Sequence, residues 1–236
     1  MHNSIQHYPR CDGCTFSPFC IMTHKHRSFA HPYPAIVKKH RILKRHDMLY
    51  LAKNKFHSLF IIQEGIIKTY QLDPDGKELI RGFYFASEAI GYEAICTGEY
   101  LFSAVAISDV VVCEIPYESV LELLHTKPAL QKRFLHLISR QLNIGFYLAA
   151  EHAEQRLASF LLDIAARLYP LENKLEFKLP MSRQDIGNYL RLTAETVSRV
   201  FSRFQTHQII IVKNKNVCFI QLDALKQIAE GMKYPG

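Results

Sequence analysis

The residues of this chain best suited to chemistry are its clustered thiols. Cys11-x2-Cys14-x5-Cys20 gathers three of them inside ten residues, whereas Cys96, Cys113 and Cys218 are scattered. Six cysteines are not read as three disulfides: under reducing conditions, clustered thiols serve metal binding or redox chemistry. A cytoplasmic location is expected, because the polar start (His2, Asn3, Gln6, His7, Arg10) lacks the apolar core of a secretion signal. No apolar run reaches the roughly 20 residues of a membrane span, so no membrane partner is expected. Seven of the twelve histidines precede residue 47. On local residues alone, Cys11, Cys14 and Cys20 with His24 or His26 would make a Cys3His zinc site.

A second set of residues suits recognition of double-stranded DNA by a helix-turn-helix between Met181 and Gln205. Ser182 is a good helix N-cap for Arg183-Gln184-Asp185-Ile186-Gly187-Asn188-Tyr189-Leu190, and Thr193 caps a second helix. Thr196 stands where a capping box would have Glu or Gln, so no such box is expected at the second helix. Gly187 falls where the two helices must cross closely. Leu190, Leu192, Val197, Val200, Phe201 and Phe204 supply the buried face. Opposite them, Glu195, Ser198, Arg199 and Ser202 recur at helical spacing, and the N-terminal part of such a helix enters the major groove. Arg199 can bond guanine O6 and N7 together, and Glu195 can accept from cytosine N4. Arg183, Arg203 and Lys213 or Lys215 are expected at phosphates, which position without specifying. Gln184 and Thr193 complete the expected DNA-binding residues.

These side chains need elements to position them. Residues 1–28 show no sustained period and read as a loop that something else must order. From 29 to 127, short apolar or β-branched runs (57–62, 66–72, 79–85, 104–107, 110–115) alternate with turns such as Asp73-Pro74-Asp75-Gly76, arguing for an all-β roll or barrel. Pro128 then opens a helical stretch to 153, in which Leu135, Ile138, Leu142, Gly145, Ala149 and His152 form an a/d-like seam. Periodicity alone serves equally a helix packed on its own domain; the length and the place between two domains point to a homodimer interface. Residues 154–236 form the last unit: a helix (154–168), a short strand (175–179), the helix-turn-helix, and two strands around Lys213-Asn214-Lys215-Asn216 that make a wing. A composition of 48% hydrophobic and 22% charged residues is globular, and a net charge of +7 favours a polyanionic partner. No nucleophile–base pair, phosphate loop or recognisable carboxylate pair argues for an enzyme.

The run from Met181 to Arg199 closely resembles the CRP/FNR regulators, above all the FNR branch (the fumarate and nitrate reduction regulators), whose reading face is matched by Glu195, Ser198 and Arg199. The resemblance extends to the cysteine-rich start, Gly65, Gly76, Gly82 and Gly91, and Cys113-Glu114-Ile115-Pro116. It implies an α+β fold: an N-terminal double-stranded β-roll of the cyclic-nucleotide-binding type, a long dimerisation helix and a C-terminal winged helix-turn-helix. It further implies a homodimeric transcription factor reading TTGAT-like inverted repeats, with surfaces such as Asp73 to Lys77 touching RNA polymerase.

The resemblance also implies a 4Fe–4S cluster, for which Cys113 would be the fourth ligand beside Cys11, Cys14 and Cys20, with Cys96 its rival. Cys96 and Cys218 otherwise read as small buried hydrophobes. Cyclic nucleotide is not expected, since Phe102-Ser103-Ala104 puts an aromatic where the family's phosphate-binding arginine stands. The implied activity is oxygen-responsive control of anaerobic gene expression, with DNA bound while the cluster is intact. A constitutive or zinc-stabilised factor of the same architecture is the alternative.

Overall fold

A computed structural model describes residues 14, 16, 36–143, 150–168 and 175–232, excluding the side chains of 140–143. It divides into two units, the first built on residues up to 71 with 83–142, the second on 72–82 with 143 onward.

The strands up to residue 116 have side chains that alternate between two faces. Eight antiparallel strands, β1 (Lys39–Leu43), β2 (Met48–Tyr50), β3 (Ser58–Glu64), β4 (Ile67–Leu72), β5 (Glu78–Tyr84), β6 (Ala89–Ile90), β7 (Ser103–Ala106) and β8 (Val110–Pro116), form two four-stranded sheets ordered β1-β8-β3-β6 and β2-β7-β4-β5. The first two strands were not read from the sequence, because Lys39–Leu43 mixes charge with only two aliphatic residues. Alternation on β3 and β8 sorts the core into two clusters. Phe60, Ile62, Val110 and Val112 join Tyr50, Tyr100 and Ala104 in one. Leu59, Ile61, Cys113 and Ile115 join Cys14 and Phe16 in the other. A one-residue slip of register would exchange these two sets.

Two helices complete this unit. Pro116 precedes α1 (Tyr117–Thr126), and Pro128 precedes α2 (Ala129–Asn143), whose first turn spares the amide a proline lacks. Leu130 and Phe134 of α2 are buried in the cluster that holds Cys113, with Leu137 and Ile138 packed against it.

The helix expected to run to 153 does not do so: Ala150–His152 are non-helical and α3 (Ala153–Leu168) starts afresh. Arg156 holds that break from within α3, its Nε donating to the Ala150 carbonyl at 2.7 Å. Hydrophobic period carries no trace of such a bond.

In the second unit, α3 is followed by β9 (Glu176–Lys178), α4 (Arg183–Leu190), α5 (Ala194–Thr206), the hairpin of β10 (Ile210–Lys213) and β11 (Asn216–Phe219), and α6 (Leu222–Ala229). The three strands are ordered β10-β11-β9. Ser182 caps α4 in a full capping box with Asp185: the Asp185 amide donates to Ser182 Oγ at 3.0 Å, and the Ser182 amide donates back to the carboxylate at 3.4 Å.

Candidate functional site

The DNA-reading geometry is built on one close approach. A Cβ at Gly187 would lie 2.7 Å from the Leu192 carbonyl oxygen, so only glycine lets the turn after α4 lie flat against it. The Thr193 Oγ1 accepts the Thr196 amide at 3.0 Å and so caps α5. The cap needs no acidic partner, in keeping with the sequence expectation.

Val197, Val200, Phe201 and Phe204 are buried beneath α5, each worth about 1.5–3 kcal/mol of apolar burial. Leu192 is only half-buried. Glu195, Ser198, Arg199 and Ser202 face outward. Glu195 and Arg199, 72% and 67% exposed, pair with each other across one turn. An exposed i,i+4 pair stabilises by only about 0.3–0.5 kcal/mol, so base edges can displace it cheaply.

The arginines expected at phosphates are already engaged. Arg183 lays its guanidinium over the Phe201 ring, 3.3 Å from the centroid, and burial draws its pKa down to about 10, leaving it cationic at neutral pH. Arg203 is paired with Glu154 of α3. Gln184 and Lys213 are exposed, and Lys215 Nζ donates to the Pro180 carbonyl at 3.3 Å. Glu154 escaped the sequence reading because it lies 49 residues from its partner.

In the first unit, Cys14 and Cys113 are 8% and 4% exposed and belong to the same apolar cluster. Cys113 stands opposite His40 of β1 and Ile61 of β3 in the ladder. Its sulfur is 3.6 Å from His40 Nδ1, and burial lowers the His40 pKa. Gln63 Nε2 donates to Cys14 Sγ at 3.9 Å. Tyr92 packs against this cluster, and its hydroxyl is buried without a hydrogen-bond partner among the described residues.

Two buried thiols in one apolar cluster, one accepting an N–H from Gln63 and the other beside His40, form a donor set that fits a thiolate-ligated centre. Among the described residues no group of three or more potential ligands is assembled. Cys11, Cys20, His24 and His26 lie outside them.

Two expectations are corrected by position. Cys96 is exposed, since it lies in the turn after the short 3-10 helix Tyr92–Ala94, and Cys218 is half-buried on β11; neither is a buried hydrophobe. Ile138 packs on its own domain, whereas Leu135 is 63% exposed. Leu142 lies in α2. Gly145 and Ala149 lie outside the described residues.

Residues 40–127 match the cyclic nucleotide-binding domain family, and residues 155–228 match the Crp-like helix-turn-helix domain family. A roll of the first kind followed by a reading head of the second defines a DNA-binding transcription regulator, not an enzyme. The chain is 34% identical to the transcriptional activator protein Anr of Pseudomonas protegens, over 94% of its length and 93% of the relative's. It is 33% identical to the fumarate and nitrate reduction regulatory protein of Escherichia coli K12, over 93% and 90%. The structure of FixK2 from Bradyrhizobium japonicum is similar at a TM-score of 0.72 and 25% identity, covering 80% of this chain and 96% of that one. The chain belongs to the CRP/FNR family, in its FNR branch. No helix among the described residues is long and apolar enough to cross a membrane.

Proposed function

We propose that this regulator is oxygen-responsive, with Cys11, Cys14, Cys20 and Cys113 holding a 4Fe–4S cluster. The observation that carries the reading is the shared burial of Cys14 and Cys113 in one cluster that also takes Leu130 and Phe134 of α2. When bound, the group supplies an oxygen-labile tie between thiolates far apart in the chain.

The protein's own residues turn that tie into a switch. While Cys14 and Phe16 stay seated, they fill the apolar face under α2. If they withdraw, Leu130 and Phe134 lose packing partners and the helix shifts. Leu135, exposed on α2, belongs to the proposed homodimer seam with Ile138, Leu142, Gly145 and Ala149, so a shifted helix weakens the dimer. The paired reading heads then no longer span an inverted repeat.

On each half-site of TTGAT type, Glu195, Ser198 and Arg199 meet base edges. Gln184, Thr193 and the wing lysines lie towards the backbone, with Arg183 and Arg203 as secondary contacts because both are engaged internally. Residues 1–28, 29–127, 128–153 and 154–236 are the proposed cluster-binding, roll, dimerisation and DNA-binding segments. RNA polymerase is the proposed second partner, the location cytoplasmic.

Cyclic nucleotide is not the proposed ligand. Tyr50 and Tyr100 stack at 3.9 Å inside the roll, and Ser103 Oγ already accepts the Ala52 amide at 3.0 Å. Phe102 brings no positive charge for a phosphate.

Anaerobic purification followed by iron, sulfide and absorbance measurements tests the reading, with gel shifts on TTGAT-type DNA before and after air. A coloured protein with air-sensitive binding, both lost in Cys113→Ala, is expected. Colourless protein with stoichiometric zinc and air-insensitive binding would overturn it in favour of the zinc-stabilised alternative.

A further inference from the structure

One flank of β5 is paired by a side chain instead of a strand. The sheet is ordered β2-β7-β4-β5, with no further strand beside β5 among the described residues, and an edge of this kind presents a row of backbone groups. Glu78 and Ile80, two apart, turn theirs to the same flank of the extended strand. The Asn188 carboxamide meets both: its Oδ1 accepts the Ile80 amide at 2.8 Å, and its Nδ2 donates to the Glu78 carbonyl. A carboxamide carries acceptor and donor in one plane, as a peptide group does, so it fits this two-point contact.

The clamp sits where the reading head takes its shape. Asn188 lies in the last turn of α4 beside Gly187, whose close approach to Leu192 sets the entry into α5. Arg156 of α3 reaches the same turn, donating to the Leu190 carbonyl at 3.2 Å as well as to that of Ala150. The end of α4 is thereby held from two sides, by the 72–82 hairpin and by the helix break before α3, all within the second unit. Glu195, Ser198 and Arg199 stay exposed, so the clamp holds the head without covering the face that meets bases.

We propose that Asn188 is a positioning residue for DNA recognition, clamping the 72–82 hairpin to the end of α4 and so fixing the tilt at which each reading head is presented. This rests on the reading above of paired heads on an inverted repeat. A head on a fixed mount accepts one separation of half-sites. A head freed from the hairpin accepts several and binds the preferred one less well, because ordering it then falls to the DNA.

Full-length wild type, Asn188→Ala and Asn188→Asp are compared, with thermal melts controlling for folding. The aspartate keeps the size and the acceptor but sets a carboxylate against the Glu78 carbonyl. Hydrogen exchange at the Ile80 amide reads the clamp itself. Anaerobic gel shifts on TTGAT-type inverted repeats, with the spacer lengthened or shortened by one base pair, read its effect. The Ile80 amide is expected to exchange faster in Asn188→Ala than in wild type. Affinity for the preferred spacer should fall roughly tenfold, the scale of two lost hydrogen bonds, and the preference over altered spacers should shrink in both variants. Unchanged exchange at Ile80, or weaker binding with the spacer preference kept whole, would overturn the proposal and leave the DNA reading intact. A wild type that binds an inverted repeat no better than a single half-site would sink both.

Discussion

The guanidinium of Arg183, the first residue of α4, lies 3.3 Å over the ring of Phe201 on α5. An arginine expected at a phosphate is thus part of the packing between the two helices of the reading head. Arg183→Ala is therefore predicted to destabilise the protein by about 1–2 kcal/mol, the worth of a desolvated cation–π contact. Urea denaturation would register this as a lower midpoint. DNA affinity should fall with little change in its salt dependence; a salt slope reduced by a full phosphate contact would contradict this assignment.

Glu195 and Arg199 present opposite charges on one exposed turn. Glu195→Ala should relax discrimination at one base pair of the half-site by roughly 1–3 kcal/mol while leaving folding unchanged. Competition gel shifts with single-base variants of TTGAT provide the measurement. Loss of affinity spread evenly over all sequences would instead mark Glu195 as a general electrostatic residue.

Gly187 has no room for a methyl group. Gly187→Ala would set its Cβ against backbone, 2.7 Å from the Leu192 oxygen and 3.1 Å from the Ala194 nitrogen, neither of which belongs to a flexible side chain. Overpacking of this kind costs about 1–3 kcal/mol. A drop in melting temperature accompanied by weaker DNA binding is the expected outcome, because the turn sets the angle of α5.

The two isolated cysteines of the roll separate cleanly by burial. Cys113→Ser should abolish iron–sulfide uptake, and Cys96→Ser, at an exposed turn, should leave it unchanged. Iron and acid-labile sulfide assays on both variants check this. Full uptake by Cys113→Ser would require another fourth ligand.

Glu93 gives a pH dependence of definite sign. Burial raises its pKa, with the Tyr50 hydroxyl 3.5 Å from its Oε1. Above its ordinary value of about 4.3 the unfolded chain loses this proton while the folded chain keeps it. Stability therefore falls as pH rises from there through the raised folded value, then levels. Glu93→Gln should be the more stable protein at neutral pH, and its advantage should vanish below about pH 4.3. Denaturant midpoints across pH test the window.

Much of the reading head was legible because its determinants are local. Ser182, Thr193, Gly187 and the stripe from Val197 to Phe204 act within one or two helical turns, where cap chemistry and a 3.6-residue period fix both start and face. Asp185, three residues after Ser182, completed a capping box that went unread because Asp is the shorter acid there. The β-branched runs and the Asp73–Gly76 turn likewise announced most strands. The basic β1, Lys39–Leu43, did not, since its strand character comes from pairing with β8.

By itself, then, the sequence determined a regulator with a capped, glycine-hinged reading helix and a set of thiols able to take a metal. Tertiary structure alone decided which cysteine of the roll is buried beside Cys14, that Arg183 stacks and Arg203 pairs with Glu154, and that Asn188 meets the edge of β5. Each of these joins residues with no periodic relation along the chain. Their meeting depends on strand register and helix packing, where a one-residue slip would carry Cys113 to the opposite face.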